Sequence, residues 1–485
     1  MFKFETFRTR QCLQSTLFMG LFMLVPGVTC AQEGVNVQAG LIVHVGRADG
    51  GLLAELGAGQ SRLVHALMQD PAQVKKVRQT LLSKGLYGKI SVDGFNGRTL
   101  PYAENLVNLL VVGDPDIHIV EQEILRVLVP RGVALVHGRK IVKPIPEDID
   151  EWTHFEHGPE NNSVADDTRV GPPRHLQWVA GPRWLRTHEI PSGMSSMVTA
   201  GGRLFYTLDE GPIGISDARL PEKWSLIARD AFNGTQLWKI PVPNWGWQTW
   251  NSSYKTQFEG LMWIKSGGLR TKNPAKYVRR MVADSERLYF TLGNKAPVSV
   301  IDAASGRVIA RCQGSDDPEK LLLCDGVLCV QLADGMAAYD ARTGRLLWKK
   351  DLANIKSMAA HDNCLLYHAE DGQLTCLDLT TADELWCSKL IVQGPLKIAP
   401  ECVLSVAGSD MQLFSLQNGE SLWCHQKNPG KPSKSSKETE CYIIDDTIWT
   451  GYRGKRIDLK TGEALPALGV ENLWSPQHHH RCYTN

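Results

Sequence analysis

Ala337–Lys350 reads AAYDARTGRLLWKK, and its core is Asp340, Gly344 and Trp348. An apolar run leads into the aspartate, a tight turn follows over Ala341–Gly344, and a second run ends on the tryptophan. The order strand, turn, strand predicts a β-hairpin. Gly344 supplies the permissive backbone that such a turn needs. Trp348 is a large apolar plate at the end of the outgoing strand, suited to covering a neighbouring unit.

The pattern returns along the chain. Asp230, Gly234 and Trp238 repeat it, as do Asp302 with Gly306, Asp378 with Trp386, Ser415 with Gly419 and Trp423, and Asp458 with Gly462. The anchors at 302, 340, 378, 415 and 458 lie 38, 38, 37 and 43 residues apart, and the interval from 230 to 302 is 72, one period plus an insertion. A period near 40 with several short strands per repeat predicts a β-propeller. Asp, Gly and Trp at this spacing resemble the tryptophan-docking repeat of the PQQ-like propellers, a family that includes quinoprotein alcohol dehydrogenases and the propeller lipoprotein of outer-membrane assembly. The resemblance covers roughly the C-terminal two-thirds of the chain and implies a fold before it implies a function.

On that reading the propeller occupies residues 176–485. Blade one runs from Ser195 to Ile240 and blade two over Val278–Cys312; the next three end near Trp348, Trp386 and Trp423, and a sixth covers Cys441–Leu468. The strand His175–Val179 corresponds to one that closes the ring in the family. Family rings normally have eight blades and six are visible. The chain is therefore either an N-terminal fragment of a longer protein, with an incomplete eight-bladed ring, or a six-bladed variant.

A length of 485 residues predicts more than one domain, and 43% hydrophobic content suffices for packed cores. The formal charge of +1 gives no sign of a nucleic-acid partner. Twelve cysteines form neither a CxxC pair nor a zinc spacing. Cys387 and Cys424, each following a docking tryptophan, read as small core hydrophobes. Cys324 and Cys329 are the best local disulfide pair for an oxidising compartment. Lys3, Arg8 and Arg10 precede the apolar run Leu17–Val28 and the small-residue site Thr29-Cys30-Ala31. This predicts a signal peptide over residues 1–31 and export to a periplasmic or extracellular compartment. The run is too short for a membrane span. Gly27-Val28-Thr29-Cys30 is a poor lipobox, so no lipid anchor is expected.

Residues 38–143 alternate strands and helices. Strands are predicted at Leu41–Val45, Leu63–Met68, Lys89–Val92, Leu106–Val112 and Gly132–His137, with helices from Pro71 to Gly85 and over Ile119–Leu128. That alternation predicts a small Rossmann-like α/β domain with a parallel sheet of five strands. VDGFNGRTLPYAENLVNLLVV and EILRVLVPRGVALV resemble a class I methyltransferase, which implies S-adenosylmethionine as cofactor. Gly46 and Gly50 match the family's glycine loop and Asp93 its adenine-contacting position. His44 replaces the acid of the loop, Ala48 its middle glycine, and Met68 the acid that holds the ribose. A methionine cannot accept hydroxyl hydrogen bonds, so the domain reads as a degenerate, non-catalytic relative.

Residues 144–175 have linker composition, rich in proline, acids and asparagine. His154 and His157 form an HxxH there that reads as a surface pair lacking a third metal ligand. Two insertions, Asp209–Lys223 and Pro241–Lys276, break the rhythm of the repeats. With four strands per blade both leave the same face, joined there by Arg183–Met194. Long loops on a rigid scaffold are where function concentrates. His188, Asp209, Glu210, Trp245, Trp247 and Trp250 are the candidate pocket residues; the alternative is a lid packed on the α/β domain. Three consecutive histidines, His478–His480, sit near the end, but residues adjacent on a strand point to opposite faces. The reading that results is an exported binding or scaffold propeller meeting an unknown small molecule or protein on that face. A quinoprotein oxidoreductase is the alternative, with PQQ and calcium implied by resemblance, although this chain has no adjacent cysteine pair. A methyltransferase is the second alternative.

Overall fold

The computed structural model describes residues 37, 39–59, 61–169, 171, 176–181, 193–211, 222–250, 275–392, 394–407, 410–425, 441–450 and 455–466. All belong to one unit, Val37–Asn485. The predicted signal peptide, His188, Trp263 and the histidine run lie outside the described residues.

The apolar runs between residues 40 and 142 become one sheet. Its strands are β1 (Gly40–Val45), β2 (Arg62–Met68), β3 (Ile90–Gly94), β4 (Val107–Val112), β5 (Leu128–Val136) and β6 (Arg139–Val142), in the order β3-β2-β1-β4-β5-β6. The first five pair in parallel and β6 adds antiparallel at one edge. Strands buried on both faces read as continuous apolar runs, which is why the first five were legible. The sixth, RKIV, lies at the edge and is mostly exposed, so it carries no such signal. The expectation of five strands is corrected to six. Helices α1 (Gly50–Leu56), α2 (Pro71–Ser83) and α3 (Glu121–Val127) connect them. Two are capped by aspartates. Asp49 accepts from Gly51 N and Leu52 N, and Asp70 from Ala72 N ahead of Pro71.

The repeats form antiparallel sheets. Four strands each make up β7–β10 (Met197–Ala200, Arg203–Asp209, Trp224–Asp230, Gln236–Pro241), β11–β14 (Met281–Ala283, Arg287–Thr291, Val298–Asp302, Val308–Arg311) and β15–β18 (Lys320–Cys324, Val327–Leu332, Gly335–Asp340, Leu346–Asp351). So do β19–β22 (Ser357–His361, Cys364–His368, Gln373–Asp378, Glu384–Ile391) and β23–β26 (Leu396–Ala399, Cys402–Ala407, Asp410–Ser415, Ser421–His425). The last sheet described has three strands, β27–β29 (Cys441–Ile444, Thr447–Thr450, Lys455–Asp458). Between β9 and β10 falls no insertion; α4 (Trp247–Trp250) and α5 (Ala275–Val278) lie between β10 and β11.

The quoted hairpin explains the repeat. Gly344 has φ +70°, and its N–H donates to Asp340 O while Asp340 N donates to Arg345 O. The Asp340 carboxylate accepts from Thr343 N and its hydroxyl. Each docking indole then donates to a carbonyl in the next sheet's turn. Trp238 reaches Ala303 O at 2.9 Å, Trp348 Leu379 O at 3.0 Å, Trp386 Leu416 O at 3.0 Å and Trp423 Leu459 O at 2.8 Å. The glycine is required twice over, because a Cβ on Gly306 would come within 2.7 Å of the Trp238 ring. Trp178 docks in the same way on the turn of the first repeat, through Ala231 O at 3.0 Å.

The cysteine expectations are corrected. All nine described cysteines are free thiols, Cys324 and Cys329 among them. Cys324 stands opposite Val327 and Cys329 opposite Leu322, so the hairpin register separates the two. Cys424 is exposed and is not a core residue.

Candidate functional site

Antiparallel order puts the Asp–Gly turns at one end of each sheet and the two insertions at the other. Asp209 ends β8 opposite Trp224, the first residue of β9, while Asp230 ends β9 at the turn side. Asp209 is buried and accepts from Gly211 N at 2.9 Å and Lys223 N at 2.8 Å, closing the neck of the first insertion. Glu210 accepts from Ser225 Oγ and pairs with Lys239 Nζ at 3.1 Å. Burial raises its pKa, but those partners outweigh burial and hold it below the usual carboxylate range.

The second insertion begins as an aromatic stack. Trp245 is 3% exposed, with Phe290 at 5.1 Å and Tyr277 at 5.3 Å between ring centroids. Trp250 stacks on Tyr277 at 4.5 Å and 20°. Trp245 is thus part of the core between the first two sheets, and Trp250 is the more accessible of the two. Trp247 opens α4, and its side chain is outside the described residues. Tyr277 and Arg280 went unremarked in the sequence; Arg280 stacks on Tyr277, 4.6 Å from guanidinium to centroid. Burial pushes the Tyr277 phenol up to about 12.

The supposed linker is the main correction. Residues 152–162 run along the first strand of each of the six described repeat sheets in turn. Trp152 O accepts from Thr199 N, Thr153 O from Ala283 N, Pro159 O from Ala360 N and Glu160 O from Ile398 N. His154 Nε2 accepts from Leu323 N at 2.9 Å, and Asn162 exchanges two bonds with the backbone of Ile443. The neck of this loop is tied where Thr168 N and Arg169 N reach Asp148 O. Proline and acidic content signalled irregular backbone correctly, but irregular backbone can fill an axis as well as join domains.

His154 is 4% exposed, which overturns the surface pair. Because its Nε2 accepts, Nδ1 carries the proton and donates to Thr153 Oγ1, and burial lowers the pKa to about 3. His157 faces elsewhere, bonded to Glu160 at 3.0 Å and Asp150 at 2.7 Å. Those bonds outweigh burial and raise its pKa. Among the described residues no group of three His, Cys, Asp or Glu could hold a metal ion. Further along the loop Lys320 Nζ donates to Asn161 Oδ1 at 2.6 Å and Lys397 Nζ to Asn161 O at 2.7 Å. Burial, only partly opposed by Glu156, brings Lys320 down to about 8. An open cleft of about 480 Å³ lies above the loop, lined in part by Ile145, Ile149, Asp150, Glu151, His157 and Glu160.

In the α/β unit, Gly46 has φ +114°, and a Cβ there would come within 2.6 Å of Asp114 Cβ. Gly50 opens α1 behind the Asp49 cap. Asp93 is engaged by His65 Nε2 at 2.9 Å and by Arg78, and His65 Nδ1 meets Tyr102 OH at 2.8 Å. Met68 is fully buried. His44 is 3% exposed, and burial lowers it to about 4, so it is neutral. The three cofactor-loop candidates therefore have local structural partners. The unit docks on the turn side of the first repeat, where Asn108 Nδ2 donates to Asp230 Oδ2 at 2.8 Å and Asn233 Nδ2 to Leu106 O at 2.9 Å.

A family model described as outer membrane protein assembly factor BamB matches residues 333–467. That match and the antiparallel sheets, five of four strands and one of three among the described residues, are consistent with PQQ-like repeats and a propeller. No curated protein matches the chain. Among solved structures it is similar to BamB from Moraxella catarrhalis, at 17% identity over 56% of this chain and 71% of that one, TM-score 0.35. It is also similar to the quinohemoprotein alcohol dehydrogenase ADHIIG from Pseudomonas putida HK5, at 18% identity over 39% and 41%, TM-score 0.29. The computationally designed Ika8 protein is 14% identical over 57% and 74%, TM-score 0.39. No helix among the described residues is long and apolar enough to cross a membrane.

Proposed function

We propose that the chain is an exported propeller that acts as a binding or scaffold module. It presents its insertion-bearing face to a small-molecule or protein partner, and the α/β unit braces the opposite side without catalysis. One observation supports this reading: residues 152–162 bond to the first strand of each of the six described repeat sheets. A disc filled by its own chain offers surface and loops rather than a deep cavity. The engaged Asp93 and the buried Met68 support a degenerate rather than a working methyltransferase domain. The family match to an assembly factor and the leader-like residues 1–31 support export.

The test is enzymatic and direct. The purified chain, supplied with PQQ and calcium, is assayed for dye reduction with primary alcohols and aldoses, and S-adenosylmethionine is titrated by calorimetry. Neither turnover nor binding is expected. Sustained PQQ-dependent dye reduction overturns the scaffold reading in favour of an oxidoreductase. A micromolar dissociation constant for S-adenosylmethionine, about 8 kcal/mol, overturns the degenerate-domain reading.

A further inference from the structure

We infer that the insertion-bearing face holds a site for a small oxyanion, a carboxylate or phosphate, built on Arg280 and Thr291. The proposal rests on the scaffold reading only for the importance of that face.

Arg280 is the largest fully buried side chain described, and its guanidinium is 0% exposed. One nitrogen, Nη2, is paired with Asp317. The other two, Nε and Nη1, have no hydrogen-bond partner. Arg280 immediately precedes β11 and Thr291 ends β12, so extending the Met281–Phe290 register by one residue would set the two opposite each other at the same end of the ladder. Thr291 is also 0% exposed, and its Oγ1 has no partner either. Two buried side chains at this end of the ladder thus leave three polar atoms unsatisfied. Buried groups of this kind are rare and call for an ion or water.

The chemistry of those atoms selects the occupant. Both guanidinium nitrogens can only donate, and the threonine hydroxyl can donate. An acceptor with several oxygens satisfies all three, and a guanidinium fork matches two oxygens of a carboxylate or phosphate. The surrounding charges balance, two cations with two carboxylates, but they leave two of the arginine's donor nitrogens unused. Asp317 is shared with Lys276 at 3.1 Å, and Lys276 also draws on Glu319 at 3.4 Å. The ring of Tyr277 covers the guanidinium at 4.6 Å and keeps the local dielectric low, which strengthens a charge-assisted bond. A further unpartnered donor, Trp250 Nε1, belongs to the ring stacked on that same tyrosine.

The full chain is titrated by calorimetry with inorganic phosphate and, separately, with acetate, at constant ionic strength. At least one is expected to bind saturably, and the stronger one identifies the source of the oxyanion. Thr291→Val should weaken binding about tenfold or more, the loss of one hydrogen bond to a charged group. Arg280→Met should abolish it. If Arg280→Met does not fold, Thr291→Val, which is nearly isosteric, decides alone. Absence of binding by both anions overturns the proposal and leaves ordered water on Arg280. Binding that is unchanged in Thr291→Val also overturns it, because the anion then sits elsewhere. Dye reduction with PQQ does not bear on this result, so the two readings fail separately.

Discussion

His157 sits at φ +81° between two carboxylates, with Nδ1 on Glu160 and Nε2 on Asp150. The bond to Glu160 comes first among the causes that raise its pKa, and burial opposes them. Because the folded value lies above the unfolded 6.5, its contribution to stability is complete below about pH 6.5 and is lost as pH rises through the folded value. His157→Gln should therefore cost about 1–2 kcal/mol at pH 6 and clearly less at pH 8.5, measured by urea unfolding. Equal losses at both pH values would show that the imidazole acts only by shape. This residue was visible in the sequence as half of an HxxH pair. Its carboxylate partners were not, since six residues of irregular chain separate Asp150 from His157. The docking tryptophans were better signposted. Their partners are set by a fixed spacing from the Asp–Gly turn, and a turn is a local event.

At the scale of elements, the loop 148–169 and the inner strands depend on each other. Asn161 is 3% exposed, and its Nδ2 donates to Met358 O at 3.0 Å and Leu396 O at 2.9 Å, joining two sheets. Its Oδ1 accepts from Lys320. Asn161→Ala should cost about 2–4 kcal/mol, because it leaves two carbonyls and an ammonium without that partner in a buried site. Urea unfolding followed by tryptophan fluorescence measures this. A loss below about 0.5 kcal/mol would mean that the loop is an accessory. The hairpins are legible in the sequence to within a residue or two, whereas this loop has the composition of a linker. Strands announce themselves by apolar alternation and by bounded turns. A loop that satisfies strand edges with its own carbonyls and polar side chains carries no periodicity.

Across the whole molecule, the α/β unit and the repeats should unfold together. Asn108, Asp230 and Asn233 join them through side-chain and backbone bonds, and residues 144–162 continue from one into the axis of the other. Residues 1–151 contain no tryptophan, so fluorescence reports on the axial loop and the repeats, while helical circular dichroism draws on α1–α3. The two urea transitions should coincide. A helical signal that melts first would make the α/β unit an independent domain. By itself the sequence determined the repeat unit, its turn, its docking tryptophan and the alternation of the α/β sheet. Each of these is encoded within about ten residues, by side-chain period or by a glycine that must take positive φ. Only the tertiary structure decided that residues 152–162 bond to the first strands of the six repeat sheets, that Trp245 is core, and that Arg280 and Thr291 are buried with unsatisfied polar atoms. Those outcomes depend on strands up to 281 residues apart in the chain, as for Asn162 and Ile443, and no local pattern carries that information.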